Sequence, residues 1–129
     1  MPELEMTIAY WCVMVAAFLP ILFTGFAKFS GPGFNNRRPR DFQAQLEGFR
    51  QRAHWAHLNS FEAFPPFAAA TIIAHQLGVA QDRIDALAIG FIVARLIYFV
   101  CYVANQANLR SLAWVVATGC WVAMLVLAA

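Results

Sequence analysis

Charge is what this sequence most lacks. Only 12% of its 129 residues are Asp, Glu, Lys or Arg, and 61% are hydrophobic. A soluble domain carries roughly 25% charged residues, so the chain reads as an integral membrane protein. Its net charge is +2, and the basic residues gather in one loop instead of forming a stripe, which leaves no footprint for nucleic acid. Cysteine is scarce. Cys12, Cys101 and Cys120 lie in apolar runs without a CxxC spacing and read as small buried hydrophobes, not as a disulfide or metal set. His54, His57 and His75 make no HExxH pair and have no cysteine partners, so no metal site is expected. A basic leader region is also missing. Glu3 and Glu5 stand in its place before a long apolar run, which predicts a retained span and not a cleaved signal. Neither internal repeats nor low-complexity tracts occur.

What is present is four long apolar segments, enough for a single-domain, all-α membrane protein built as a four-transmembrane-helix bundle over 1–129. The first span covers about 8–27; it contains Pro20, which membrane helices tolerate, and Lys28 ends it. A polar loop follows to about Arg52, opening with Gly31-Pro32-Gly33 and carrying Arg37, Arg38, Arg40, Arg50 and Arg52. Asp41 after Pro39 is a plausible helix start, so the second helix is expected to begin before it enters the bilayer. The second span covers 53–77, with Gly78 as its stop. Within it, Pro65 and Pro66 deprive the carbonyls of Phe61 and Glu62 of helical partners and predict a kink. A short turn makes the third span, 84–104, an antiparallel neighbour, with Asp82 as its expected N-cap. The fourth covers 112–129. Loops one and three hold nearly all the basic residues, and the turn between the second and third spans only Arg83. The positive-inside rule therefore puts loops one and three in the cytoplasm and both termini outside. The compact loops and the lack of a sorting signal point to a bacterial inner membrane, with the endoplasmic reticulum as the alternative.

The second span carries polar groups that a membrane helix should not hold idly. Asn59 and Glu62 share one helical face, with Trp55 a turn before and Pro66 a turn after. In the third span, Arg95, Tyr98, Tyr102 and Asn105 form a second stripe. At ~1.5 Å per residue, Glu62 lies roughly 15 Å below Arg52, and Arg95 roughly 15 Å below Asn105. The two charges thus fall at one level in antiparallel helices, and an ion pair between them is expected. Such a pair could merely lock the helices. With His57, Asn59, Tyr98 and Tyr102 added, the set suits a wet cleft for a small zwitterionic or anionic ligand, with a lipophilic second substrate entering from the bilayer. His75 reads as interfacial.

These residues resemble the MAPEG family, the membrane-associated proteins of eicosanoid and glutathione metabolism. The carriers are Ala56-His57-Leu58-Asn59-Ser60-Phe61-Glu62-Ala63-Phe64-Pro65, Ala94-Arg95-Leu96-Ile97-Tyr98-Phe99-Val100-Cys101-Tyr102 and Asn108-Leu109-Arg110-Ser111. The resemblance implies a homotrimer that binds glutathione between subunits near the cytoplasmic face and acts on lipophilic electrophiles or hydroperoxides as a transferase or peroxidase. It implies glutathione contacts at His57, Asn59, Glu62, Arg95, Tyr98 and Tyr102, and a thiolate-steadying role for Arg110. Two positions depart from the pattern. Relatives that bind glutathione usually have Arg where Trp55 stands, and the residue after Glu62, often Tyr in leukotriene synthase, is Ala63. Arg52, one turn earlier, is the expected substitute for the missing arginine. The family also includes a member without glutathione chemistry, so the alternative is a membrane binding or scaffold protein of the same fold. A third reading is an unrelated helical subunit of a larger complex.

Overall fold

The computed structural model describes residues 5–129, so Glu3 lies outside the described residues. Five helices follow in order: α1 (Ile8–Phe29), α2 (Pro39–Ala44), α3 (Gly48–Gln76), α4 (Gln81–Val103) and α5 (Ala107–Ala128). Helix α1 packs chiefly on α3, and α4 on α5, while α3 also touches α4 and α5 to close a four-helix bundle. Helices α1, α4 and α5 are each long and apolar enough to cross a membrane. Helix α3 falls outside that group because its first half carries Arg50, Arg52, His54, His57, Asn59 and Glu62. Its 29 residues exceed the roughly 20 that a bilayer core needs, so its basic first turns extend past that core.

The centre of the bundle is built from small residues. Ala9, Ala16, Ala70, Ala74, Ala88 and Ala117 are almost fully buried, which lets the backbones approach closely. Phe67 of α3 and Phe91 of α4 stack between them with ring centroids 3.9 Å apart. At Gly90 a Cβ would come within 3.2 Å of Cys120 Sγ, which marks the tight α4–α5 contact. Large apolar residues such as Trp11, Phe18, Leu22, Ile97, Val100 and Val115 face outward, as a lipid-covered surface requires.

Helix boundaries differ from the sequence reading in three places, and one stop agrees with it. The helix start at Pro39 exists, but it opens the separate one-turn-plus helix α2; α3 begins afresh at Gly48, whose φ is +63°. Helix α3 runs on through Pro65 and Pro66 to Gln76, and Gly78 follows with φ +76°, as expected of a C-terminal stop. The N-cap of α4 is Ala80, without a side-chain bond, and Asp82 sits inside the first turn, where it favours the helix dipole. Helix α5 starts at Ala107, five residues before the expected Leu112, because Asn108, Arg110 and Ser111 form a polar first turn beyond the apolar run.

Both ends of the bundle are tied by side chains. At one end the Thr7 hydroxyl accepts from Tyr10 N and donates to His75 Nε2 at 2.9 Å; His75 Nδ1 donates to Thr71 O at 2.7 Å. Asp85 Oδ1 accepts from Ala9 N and Gln81 Nε2, which joins the starts of α1 and α4. At the other end, Arg50 gathers the free carbonyls at the end of α1. It donates to Ala27 O (3.0 Å), Lys28 O (2.7 Å) and Pro32 O (3.0 Å), and lies over the Phe42 ring. Those carbonyls have no helical donors of their own. Arg50→Ala is expected to lower stability by about 2–3 kcal/mol, since several charge-assisted bonds go at once. The check is a lower melting temperature with faster proteolysis at residues 30–38.

Candidate functional site

The polar face of α3 meets α4 and α5 in two adjoining clefts. One, of ≈ 260 Å³, is lined by Asn59, Glu62, Arg95, Trp114 and Trp121, with Pro66, Phe91 and Thr118 among its other walls. The second, of ≈ 280 Å³, is lined by Tyr98, Tyr102, Arg110, Ser111, Trp114 and Val115. Trp114 is common to both, so the two clefts adjoin at that side chain.

Arg95 is the pivot of that region. Its side chain is 1% exposed, a rare position for a guanidinium. Nη2 donates to Ser60 Oγ at 3.1 Å, and the Ser60 hydroxyl donates in turn to Ala56 O. Its Cζ lies 4.2 Å from the centre of the Tyr98 ring. Tyr98 meets Tyr102 edge-on, and Arg110 covers the far ring with its Cζ 4.5 Å from the Tyr102 centroid. The result is a column of two cations and two aromatic rings running from the middle of the bundle to the start of α5. Within this column Arg95 Nη1 is buried and has no hydrogen-bond partner, and so is Asn59 Oδ1 close by. An unmet buried donor and acceptor cost roughly 1–3 kcal/mol each. Both belong to residues that line the first cleft, which makes that cleft a candidate site for a polar partner.

The expected ion pair between Glu62 and Arg95 is not formed. Both side chains line the same cleft, as the equal-depth argument required. Glu62, however, is exposed and accepts a long bond from Asn59 Nδ2 at 3.5 Å. Ser60 and the Tyr98 ring hold the guanidinium instead. Equal depth fixes the level of two groups along a helix pair; it does not turn them toward each other.

Of the remaining candidates, Asn59, Tyr98, Tyr102 and Arg110 join Glu62 and Arg95 in the clefts. Arg52 and His57 do not. Arg52 donates through Nε and Nη2 to Val103 O at 3.3 and 3.1 Å, closing the end of α4, so it cannot stand in for an arginine at position 55 while it holds that carbonyl. His57 lies a fraction of a turn away from Asn59 and faces α1, where Nδ1 donates to Pro20 O at 2.7 Å. Trp55 is half exposed, 6.4 Å from the Tyr102 ring, and lines neither cleft.

Sequence reasoning missed Ser60 and the wall that α5 supplies. Trp114, Ala117, Thr118 and Trp121 recur at helical spacing and all line the cleft. That i, i+3, i+4, i+7 pattern was available in the sequence, but without a charge in it the face looked like ordinary lipid-facing helix.

An apolar bundle of long helices with a polar cleft on one side defines an integral membrane protein. The family model for the MAPEG family matches residues 8–129, nearly the whole chain, and the protein belongs to that family. No curated protein and no solved structure matches it.

Proposed function

We propose that this protein is a glutathione-dependent transferase or peroxidase that works as a homotrimer on lipophilic electrophiles or hydroperoxides. The observation that carries the reading is the buried, unpartnered pair of Arg95 Nη1 and Asn59 Oδ1 beside the Glu62 carboxylate. A free donor, a free acceptor and an anion within one cleft suit a zwitterionic peptide. The guanidinium grips a carboxylate, Glu62 meets an ammonium, and Asn59 meets a peptide N–H. Each cleft is open and below the ~300 Å³ at which ligand pockets usually begin, so a neighbouring subunit would supply the missing walls. The column places Arg110 at the far end from Arg95, where a thiol could lie against it.

The chemistry needs no nucleophile from the protein. In the transferase reaction the glutathione thiolate attacks an electrophilic carbon and forms a C–S bond, while the leaving group departs with its electron pair. In the peroxidase reaction two glutathiones become one disulfide, and the hydroperoxide becomes an alcohol and water. Arg110 would hold the thiolate, and the bilayer would deliver the second substrate between the helices. With the basic loop in the cytoplasm, this site would draw on cytoplasmic glutathione, and a bacterial inner membrane would suit it.

Calorimetry on the detergent-purified trimer provides the test. Glutathione is expected to bind in the micromolar to low-millimolar range, and Glu62→Ala to weaken it at least tenfold, the effect of one lost charge-assisted contact at ~1.5–3 kcal/mol. A folded trimer that gives no heat at about 10 mM glutathione would favour the scaffold reading. In its favour is the combination of Trp55 in place of an arginine with Arg52 held by Val103.

A further inference from the structure

We infer that the loop between α1 and α3 carries a binding site for an anionic phospholipid whose headgroup bears hydroxyls. Six cations stand on or beside the loop, and they fall into two groups. Arg50 and Arg52 are engaged by backbone carbonyls, and Lys28 lies over the Phe34 ring at 5.1 Å. Arg37, Arg38 and Arg40 are exposed, and among the described residues no side chain pairs with them. Three unengaged guanidiniums at a membrane edge attract anionic lipid.

A built cleft sits among them. Gly33, Asn35, Arg38, Asp41, Phe42 and Gln45 enclose ≈ 300 Å³. Its shape is fixed locally. Gly33 takes φ +96°, Asn35 Oδ1 accepts from Arg37 N at 3.0 Å, and Arg38 N donates to Asn35 O. Phe42 forms one wall and ends a row of edge-on rings, Phe29–Phe34–Phe42, with centroids 5.1 and 5.5 Å apart. Phe29, directly after the last apolar turns of α1, is 69% exposed. The membrane-length apolar helix α1 ends at Phe29, beside the basic loop, which brings the cleft to the depth of the lipid phosphates.

The lining selects among lipids. The Arg38 fork matches a singly charged phosphodiester. Asp41, Asn35 and Gln45 offer acceptors to headgroup hydroxyls, and the Asp41 carboxylate disfavours a free, doubly charged phosphate. This site lies apart from the two clefts at Arg95 and Arg110 and is independent of glutathione.

The full-length protein, delipidated in detergent and free of glutathione, is titrated with phosphatidylglycerol, phosphatidylcholine or inorganic phosphate. Lipid bound per subunit and the melting temperature are both read. Saturable binding of phosphatidylglycerol with a raised melting temperature is expected, at least roughly five-fold tighter than phosphatidylcholine. Arg38→Ala should weaken it by more than the double variant Arg37→Ala with Arg40→Ala, since only Arg38 lines the cleft. All three side chains are exposed, so the variants should fold, and unchanged melting without lipid verifies that they do. Equal binding of the two lipids, a greater loss in the double variant, or an equal stabilisation by inorganic phosphate would each overturn the proposal.

Discussion

Replacing Arg95 with methionine is expected to leave the protein at least as heat-stable as the wild type while lowering its glutathione affinity about a hundred-fold. The two effects have the same origin. The guanidinium is buried, yet it makes one hydrogen bond to a side chain and leaves Nη1 without a partner. Substituting packed apolar groups for buried ionic ones is often neutral or stabilising, by about 1–4 kcal/mol. Methionine has nearly the same length and can keep the contact with the Tyr98 ring through its thioether. Ser60 is not orphaned, because its hydroxyl already donates to Ala56 O. Alanine differs: it would leave a cavity beside Tyr98 and should lower the melting temperature. The ligand, by contrast, loses its forked partner, and ~3 kcal/mol at the strong end of charged hydrogen bonds is about two decades of affinity. Melting curves and calorimetry on the two variants measure both sides. A fall of more than roughly 5 °C in the methionine variant would make Arg95 a structural residue.

Why the pivot was only half legible in the sequence follows from what each kind of pattern encodes. Apolar run length marks where the membrane lies, so the four long helices and the stop at Gly78 were readable. Run length does not mark where a helix begins in water, and so α3 and α5 each start five residues earlier than their apolar runs. The break at Gln45–Glu47, which separates α2 from α3, leaves no apolar signal either. Helical spacing fixed the faces of Asn59, Glu62, Arg95, Tyr98 and Tyr102, and rise per residue fixed their depth. Partners were another matter. Arg52 is held by the carbonyl of Val103 and Arg50 by carbonyls at the end of α1, and every residue has a carbonyl. No residue type announces such a contact. The pairing of Arg95 with Ser60 in place of Glu62 depends on rotation about the helix axes, which local periodicity leaves free.

Arg110→Ala is expected to cut the glutathione-dependent rate at pH 7 by about ten- to a hundred-fold, with glutathione affinity changed far less. The reason lies in the position of the group. Arg110 covers the Tyr102 ring at the end of the column remote from Arg95, so on the proposed reading it meets the thiol, while Arg95, Asn59 and Glu62 meet the rest of the peptide. A free thiol has a pKa of about 8.5, and only the thiolate attacks. A guanidinium beside it stabilises the anion and lowers that pKa. Removing the cation raises the pKa again, by about one to two units, and moves the acid limb of the pH–rate profile upward by the same amount. The deficit is therefore greatest at neutral pH and shrinks as pH rises through the normal thiol range. Arg110→Lys restores the charge without the planar stack on Tyr102 and should recover part of the rate. The measurement is kcat against pH for wild type and both variants with one electrophile, alongside the ultraviolet absorbance of bound thiolate. A deficit that stays constant with pH would mean that Arg110 orients the ring or the electrophile and does not hold the thiolate.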